Sequence, residues 1–225
     1  MPTPAGTELL DRPDADPVAV RTSLGNIARA NRWFGGSAAM IHGVESLLSG
    51  AATHPVTLLD LGTGAGDIPA TLRAWGRDQG RTVRTFGLER LRPAAALARS
   101  GALPVALGCA SALPFGTGAV DVVTLSQLLH HFEREAAVRI LREAARVARR
   151  GVVVADLVRS RAAATLFGIG ARILGFDQHT VMDGITSVGR GYTLDEMAEL
   201  FVAAGLEVSL AVRPGWRIVA WGHRA

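Results

Sequence analysis

Short apolar runs alternate along this chain with longer amphipathic stretches. Val56, Leu58, Leu59 and Leu61 form a buried-strand pattern that runs straight into Gly62, Gly64 and Gly66. A helical pattern follows from Asp67 to Gln79 and stops at Gly80, a suitable residue just past a helix end. Thr82 to Leu88 alternates as a second strand and ends at Glu89. Pro93 to Ser100 reads as a short helix, and Pro104 to Leu107 as a third strand. Ala119 to Ser126 is nearly continuous in apolar residues, as expected of a strand covered on both faces. Glu133 to Arg150 places Ala137, Ile140, Leu141, Ala144 and Ala148 on one helical stripe, and Gly151 to Asp156 is a fifth strand. Strands that alternate with helices in this way predict an α/β fold around a mostly parallel sheet.

The rhythm breaks between Val158 and Tyr192. That insert has a helical run, Arg161 to Leu174, followed by two polar stretches, Asp177 to Gly184 and Val188 to Tyr192. An insert at that point lies over the carboxyl ends of the strands, where open α/β sheets bind ligands. Thr193 can cap a helix from Leu194 to Ala204, closed by Gly205. Two last strands, Leu206 to Arg213 and Trp216 to Gly222, flank a Pro214-Gly215 turn. Residues 1–16, rich in Pro, Asp and Thr, read as a loose tail. Residues 17–225 read as one domain: a helical cap at 17–50 parted by Gly35-Gly36, a core at 51–158, a lid at 159–192, and a closing helix and strand pair at 193–225.

The glycine turn carries the first chemistry. Glycine is required where φ is positive or where a ligand lies against the main chain, and the helix start behind it aims free N–H groups at the turn. A dinucleotide fingerprint reads G-x-G-x-x-G. Here the pattern is G-x-G-x-G, and Asp67 stands where the dinucleotide's third glycine would be. An acidic side chain there opposes a pyrophosphate and suits a cationic ligand. Asp60 to Gly66 resembles motif I of the S-adenosylmethionine (SAM)-dependent methyltransferases of the Rossmann-like class. Gly108-Cys109-Ala110-Ser111-Ala112-Leu113-Pro114-Phe115 is similar to that family's G-D-A-x-x-L-P-F, and Leu129-His130-His131 to its L-H-H segment.

The resemblance implies a three-layer Rossmann-like sheet, mostly parallel with a C-terminal antiparallel strand, with N-terminal helices and the insert as a lid. It implies SAM as cofactor and S-adenosylhomocysteine (SAH) as product. Asp60, Gly62, Thr63, Gly64, Gly66 and Asp67 then form the turn around the cofactor. Glu89, followed by Arg90, takes the strand-end position whose carboxylate pairs with two ribose hydroxyls, two oxygens for two donors. Cys109, Ala110 and Ser111 flank adenine, with Cys109 where the family has an Asp. Ser126 and Gln127 lie against the methionine part, and Arg32 resembles the polar face of a helix that closes over it.

Methyl transfer from a sulfonium needs mainly alignment of donor and acceptor, and a hydroxyl acceptor also benefits from a histidine base. Candidates are His130, His131 and, in the insert, His179 with Asp183. Trp33, Asp183, His179 and Arg190 are candidate acceptor contacts, Arg190 for an anionic one. Asp183-Gly-x-x-Ser187 and Tyr192-Thr-x-x-Glu-Met197 are similar to small methyltransferases of bacterial polyketide pathways. This implies a small, aromatic hydroxyl acceptor. Carbon methylation of a quinone or polyketide ring, a non-catalytic SAM-binding module and a nicotinamide reductase are the alternatives.

Composition narrows the field. The 225 residues are 48% hydrophobic and 20% charged, a globular balance. All 24 basic residues are arginine, which lifts the pI to about 10.7 at a net charge of only +4. The high pI is therefore not a nucleic-acid signal, and Arg146, Arg149 and Arg150 suit a helix C-terminus. The N/D-P-P-Y type of tetrapeptide is also absent. The single Cys109 excludes an intramolecular disulfide and a cysteine zinc site. Asp121 and Asp156 are isolated, with no ligand-spaced cluster, so no metal is expected. The apolar stretch Ala162 to Phe176 is interrupted and too short to span a bilayer. No signal peptide is indicated, so the expected location is cytoplasmic, as a monomer or homodimer.

Overall fold

The structure is a computed structural model that describes residues 8–49 and 55–223. Two helices, α1 (Pro17–Trp33) and α2 (Gly36–Leu47), precede β1 (Val56–Leu61), α3 (Asp67–Asp78), β2 (Val83–Glu89), α4 (Arg92–Ser100), β3 (Val105–Leu107) and β4 (Val120–Ser126). Then follow α5 (Arg134–Val147), β5 (Ala148–Leu157), α6 (Arg161–Ile173), α7 (Gln178–Arg190), α8 (Leu194–Ala203), β6 (Ser209–Arg213) and β7 (Arg217–Gly222). The seven strands form one sheet in the order β3-β2-β1-β4-β5-β7-β6. The first five are parallel, and β7 runs antiparallel to both neighbours. The order reverses between β1 and β4, the switch point where such sheets open a crevice.

The sheet is the middle of three layers. On one face Val152, Val154 and Ile218 pack with Ile140 and Leu141 of α5 and with Met197 and Phe201 of α8. On the other, Leu58, Val153 and Val219 pack with Met40 and Val44 of α2 and Ile68 and Leu72 of α3. The expected Rossmann-like fold, antiparallel terminal strand included, is present. Among the described residues no helix is long and apolar enough to cross a membrane.

Four expectations shift. Residues 8–16 are not loose: Glu8 is 7% exposed, and Leu9–Asp11 form a 3-10 turn against the insert. Residues 1–7 lie outside the described part, as does the cap–core boundary at 50–51. The long helix ends at Val147, because the next backbone groups pair with β4, starting at Ala148 opposite Val120. Arg149 and Arg150 therefore sit on β5 and pair with Asp121 at 3.2 and 3.6 Å, not with a helix end. The sixth strand starts at Ser209, since Leu206 is buried against the core below it.

The insert holds a second helix, α7, that its composition hides. Polar Gln178, His179, Thr180, Asp183 and Ser187 mask a buried stripe of Val181 and Val188. Asp177 caps it, accepting from the Thr180 amide at 3.1 Å. A Cβ on Gly184 would meet the Phe167 ring at 2.2 Å, so glycine lets α6 and α7 pack closely.

Candidate active site

A cleft opens over the carboxyl ends of β1, β2, β4 and β5, roofed by α1, α7 and the Leu9–Asp11 turn. Its floor at one end is the glycine turn. Gly62, Gly64 and Gly66 have φ of +65°, +54° and +82°, and added Cβ atoms would meet Leu128, Leu24 and Leu103 at 2.8, 3.0 and 3.0 Å. The positive φ values call for glycine, and the leucine side chains leave little room for a larger residue. Gly62 and Gly64 line the cleft, whereas Gly66 sits behind it as the N-cap of α3.

Glu89 ends β2 beside this turn. One carboxylate oxygen accepts from the Gly64 amide at 2.9 Å, the other from the Arg90 and Leu91 amides at 2.7 and 2.9 Å. A carboxylate has about four lone-pair sites, so capacity remains for a ligand hydroxyl. Asp60 lies beneath the turn, 4% exposed, and accepts from the Thr124 hydroxyl at 2.7 Å. Burial pushes its pKa up to about 7, and the charges of Asp67 and Glu89 act in the same direction. Asp67 is also raised by burial, although Asn31 donates to it at 2.8 Å. Gln127 in turn donates to Asn31, so β4, α1 and α3 are tied together across the cleft. Three carboxylates and one edge arginine, Arg90, make this end suited to a cation.

The structure places the remaining cofactor candidates unequally. Thr63, Cys109, Ala110 and Ser126 line the cleft. The Cys109 thiol lies 3.1 Å from the Ser111 hydroxyl, and that bond, with Arg90 nearby, holds its pKa below the usual thiol range. Ser111 itself does not line the cleft. Arg32 is exposed and points away; its neighbour Asn31, 2% exposed, is the α1 residue that reaches in. One residue along a helix turns the side chain by about 100°.

The other end is built on His130 and Asp156, which lie 2.6 Å apart through Nδ1 and are 6% and 0% exposed. Asp156 also accepts from the Leu129 and Leu157 amides at 3.1 and 2.8 Å. Burial alone would raise its pKa, but the imidazole and the amide bonds outweigh this and hold it below the usual range. An ionised Asp156 can only accept, so Nδ1 of His130 carries a proton, and in the neutral imidazole Nε2 then presents its lone pair. That Nε2 has no hydrogen-bond partner among the described residues. Phe167, Phe176, Leu157 and Val188 supply apolar walls, and Arg217 completes this end.

His131 stacks on His130 with centroids 4.2 Å apart but faces Asp11, 3.2 Å away, and Glu8, 3.9 Å away. Burial opposes its protonation, and those two carboxylates raise its pKa nonetheless. Arg190 and Ser187 hold Glu8 at 3.0 and 2.9 Å, and Asp183 accepts from the Leu9 amide at 3.2 Å. Asp183 and Arg190 therefore clasp the N-terminal turn onto α7. Trp33 (65% exposed) and His179 (exposed on α7) lie outside the cleft.

Glu8, His130 and His131 bring ligand atoms within 4.8 Å of one another, a cluster that no local spacing could show because Glu8 comes from the far N-terminus. Glu8, Asp11, Asp156 and Arg217 were all missed as site residues. Asp156 had a signal: it stands near the carboxyl end of a strand, where Glu89 ends another. Arg217 had one too, as the lone charge in Trp216-Arg-Ile-Val-Ala-Trp221.

Comparison with known proteins agrees with this geometry. Residues 59–155 match the family model described as a methyltransferase domain, less than half of the chain. None of the curated proteins matches the chain in sequence. Among solved structures, magnesium protoporphyrin IX methyltransferase (ChlM) from Synechocystis PCC 6803, with SAM bound, is 12% identical with a TM-score of 0.62, covering 99% of this chain and 100% of that one. A candidate O-methyltransferase from Nostoc punctiforme PCC 73102 is 16% identical with a TM-score of 0.62, covering 97% and 70%. The pyocyanin biosynthetic protein PhzM is 16% identical with a TM-score of 0.57, covering 81% of this chain; the chain spans about half of that protein's length, 54%. At such identities these likenesses establish the fold. The matched domain contains motif I, Glu89 and the carboxyl ends of β1, β2 and β4. The match is to a methyltransferase domain, and its span holds the turn and strand ends that the resemblance assigns to SAM.

Proposed function

We propose that this protein transfers a methyl group from SAM to the hydroxyl oxygen of a small aromatic acceptor. When bound, SAM supplies a methyl group already activated on a sulfonium. The chain's own residues bind, orient and handle the proton. The glycine turn gives the ligand close access to the backbone, Glu89 offers its remaining lone pairs to vicinal hydroxyls, and a bound cation would favour the ionised forms of Asp60 and Asp67, which burial otherwise disfavours. Cys109 and Ala110 stand where the resembling family holds adenine.

The observation that carries the choice of a hydroxyl acceptor is the unpartnered Nε2 of His130. Asp156 fixes its tautomer so that the lone pair can take the hydroxyl proton as the new oxygen–carbon bond forms. His131 faces the carboxylates of Asp11 and Glu8, although its Nδ1 makes no hydrogen bond to them, and His130 is taken as the base of the pair because Asp156 holds its Nδ1. Phe167 and Phe176 suit an aromatic ring. The reaction is proposed to be metal-independent: Glu8 is already paired with Arg190, and His131 faces Asp11, within the protein.

The test is methyl uptake from labelled SAM into a panel of phenols and naphthols, with wild type and His130→Gln. Transfer to oxygen by the wild type, lost in the variant while SAH still binds, supports the reading. Transfer only to ring carbon, or full activity in His130→Gln, contradicts it.

A further inference from the structure

Among the described residues, Arg217 is the buried cation of the cleft whose charge no carboxylate pairs with. It is 2% exposed, its Nε donates to the Phe34 carbonyl at 3.1 Å, and its Nη1 has no hydrogen-bond partner among the described residues. No carboxylate lies within ion-pair distance among those residues. The negative charge it senses, Asp156, is already taken by His130 and two amides. The buried carboxyl groups described in the cleft each have a partner: Asp60 accepts from Thr124, Glu8 from Arg190 and Ser187, and Asp156 meets His130. A buried charge is costly unless paired and hydrogen-bonded. Burial accordingly pushes the Arg217 pKa down to about 10.

Its position separates it from the cofactor turn. Arg217 opens β7 and pairs in register with Leu157, the neighbour of Asp156. From β1, which carries the glycine turn, β7 is three steps across the sheet, by way of β4 and β5. At the usual strand spacing this is about 14 Å. Apolar Leu157 and Val188 line the cleft with it, so an anion brought there meets the guanidinium in a low-dielectric setting.

We propose that Arg217 anchors a carboxylate on the acceptor, which makes the substrate class an aromatic hydroxy acid. The planar fork of the guanidinium pairs with the carboxylate, and this holds the ring so that its hydroxyl is offered to His130. The inference rests on the acceptor-end reading given above. It adds the acid group and leaves the bond chemistry unchanged.

The experiment separates the two claims. Protein saturated with SAH is titrated with 2-hydroxybenzoate, benzoate and 2-hydroxybenzamide, followed by saturation-transfer NMR and calorimetry, for wild type, Arg217→Met and Arg217→Lys. The two acids are expected to bind the wild type at least tenfold more tightly than the amide. Arg217→Met is expected to remove that preference with SAH affinity unchanged, and Arg217→Lys to restore it in part. Equal binding of acid and amide, or no binding of either acid up to 10-fold above the amide's range, overturns the anchor. A loss of SAH affinity in Arg217→Met also overturns it, since the arginine would then serve the cofactor's own carboxylate. Should Arg217→Met fail to fold, the wild-type acid-to-amide ratio and Arg217→Lys still decide. Acid-selective binding without methyl transfer to the hydroxyl of 2-hydroxybenzoate would leave the anchor standing and count against the base role of His130.

Discussion

The Nδ1 atom of His130 lies 2.6 Å from a carboxylate oxygen of Asp156, with both side chains sealed from solvent at the end of the cleft. This contact fixes the tautomer and so determines which nitrogen meets the acceptor. His130→Gln is expected to lower kcat by about 10²–10⁴-fold, the usual worth of a positioned base. Asp156→Asn should also lower kcat, because an amide N–H can face Nδ1 and turn the ring's proton toward the acceptor. In both variants SAH affinity, read by calorimetry, should stay within about threefold of wild type, a margin of under 1 kcal/mol. A matching collapse of SAH binding would show that the pair supports the cofactor end instead.

Glu89 both lines the cleft and holds the Gly64 amide. Glu89→Ala should weaken SAH binding by on the order of 2 kcal/mol, the loss of a charged hydrogen-bond partner. Gly64→Val should abolish binding, since φ is +54° and the new side chain would run into Leu24. Unchanged affinity in either variant, with a normal melting curve, would place the ribose elsewhere.

Asp60 gives a pH test of stability. Its folded pKa, raised to about 7 by burial, lies above the unfolded value of 3.8. The folded state therefore holds a proton that the unfolded state releases, and stability falls as pH rises from about 4 to about 7, then levels. Asn keeps the Thr124 hydrogen bond without the charge. Relative to wild type, Asp60→Asn should gain stability across that window, by up to about 4 kcal/mol for a three-unit shift. Urea denaturation of the ligand-free proteins at pH 4.5 and pH 8 checks this. A difference that does not change with pH would contradict the buried-acid assignment.

The N-terminal turn supplies a fourth test. Glu8 joins Arg190 and Ser187 across the insert. Glu8→Ala should cost about 2 kcal/mol by leaving charged partners under-satisfied. It should also speed hydrogen exchange at residues 9–11 and in α7. No change in exchange would mean that the turn is held by its apolar contacts alone.

Much of the fold was legible because strand and helix periods are strong over the core. The five parallel strands, the glycine turn and Glu89 are local patterns, each readable from a few adjacent residues. What was not legible depends on long-range pairing. Helix α5 ends where β4 offers partners to Ala148, and nothing local to Arg149 announces that. The α7 stripe is hidden because the same helix uses Asp183, Ser187 and Arg190 to hold the N-terminus. Asn31, not Arg32, enters the cleft, where Asp67 and Gln127 bond it, long-range partners that no local pattern shows. His179 was grouped with the site by its position in the insert, but the face of α7 it occupies is solvent-exposed.

The central claim is that the glycine turn, Glu89 and the three-carboxylate end of the cleft bind SAM. Calorimetric titration of the purified protein with SAM, SAH and NADH side by side tests it most directly. Micromolar binding of SAM and SAH, with none of NADH, is the predicted result. Binding of NADH in place of the other two would contradict the account of the turn and, with it, the roles assigned to Asp60, Asp67 and Glu89.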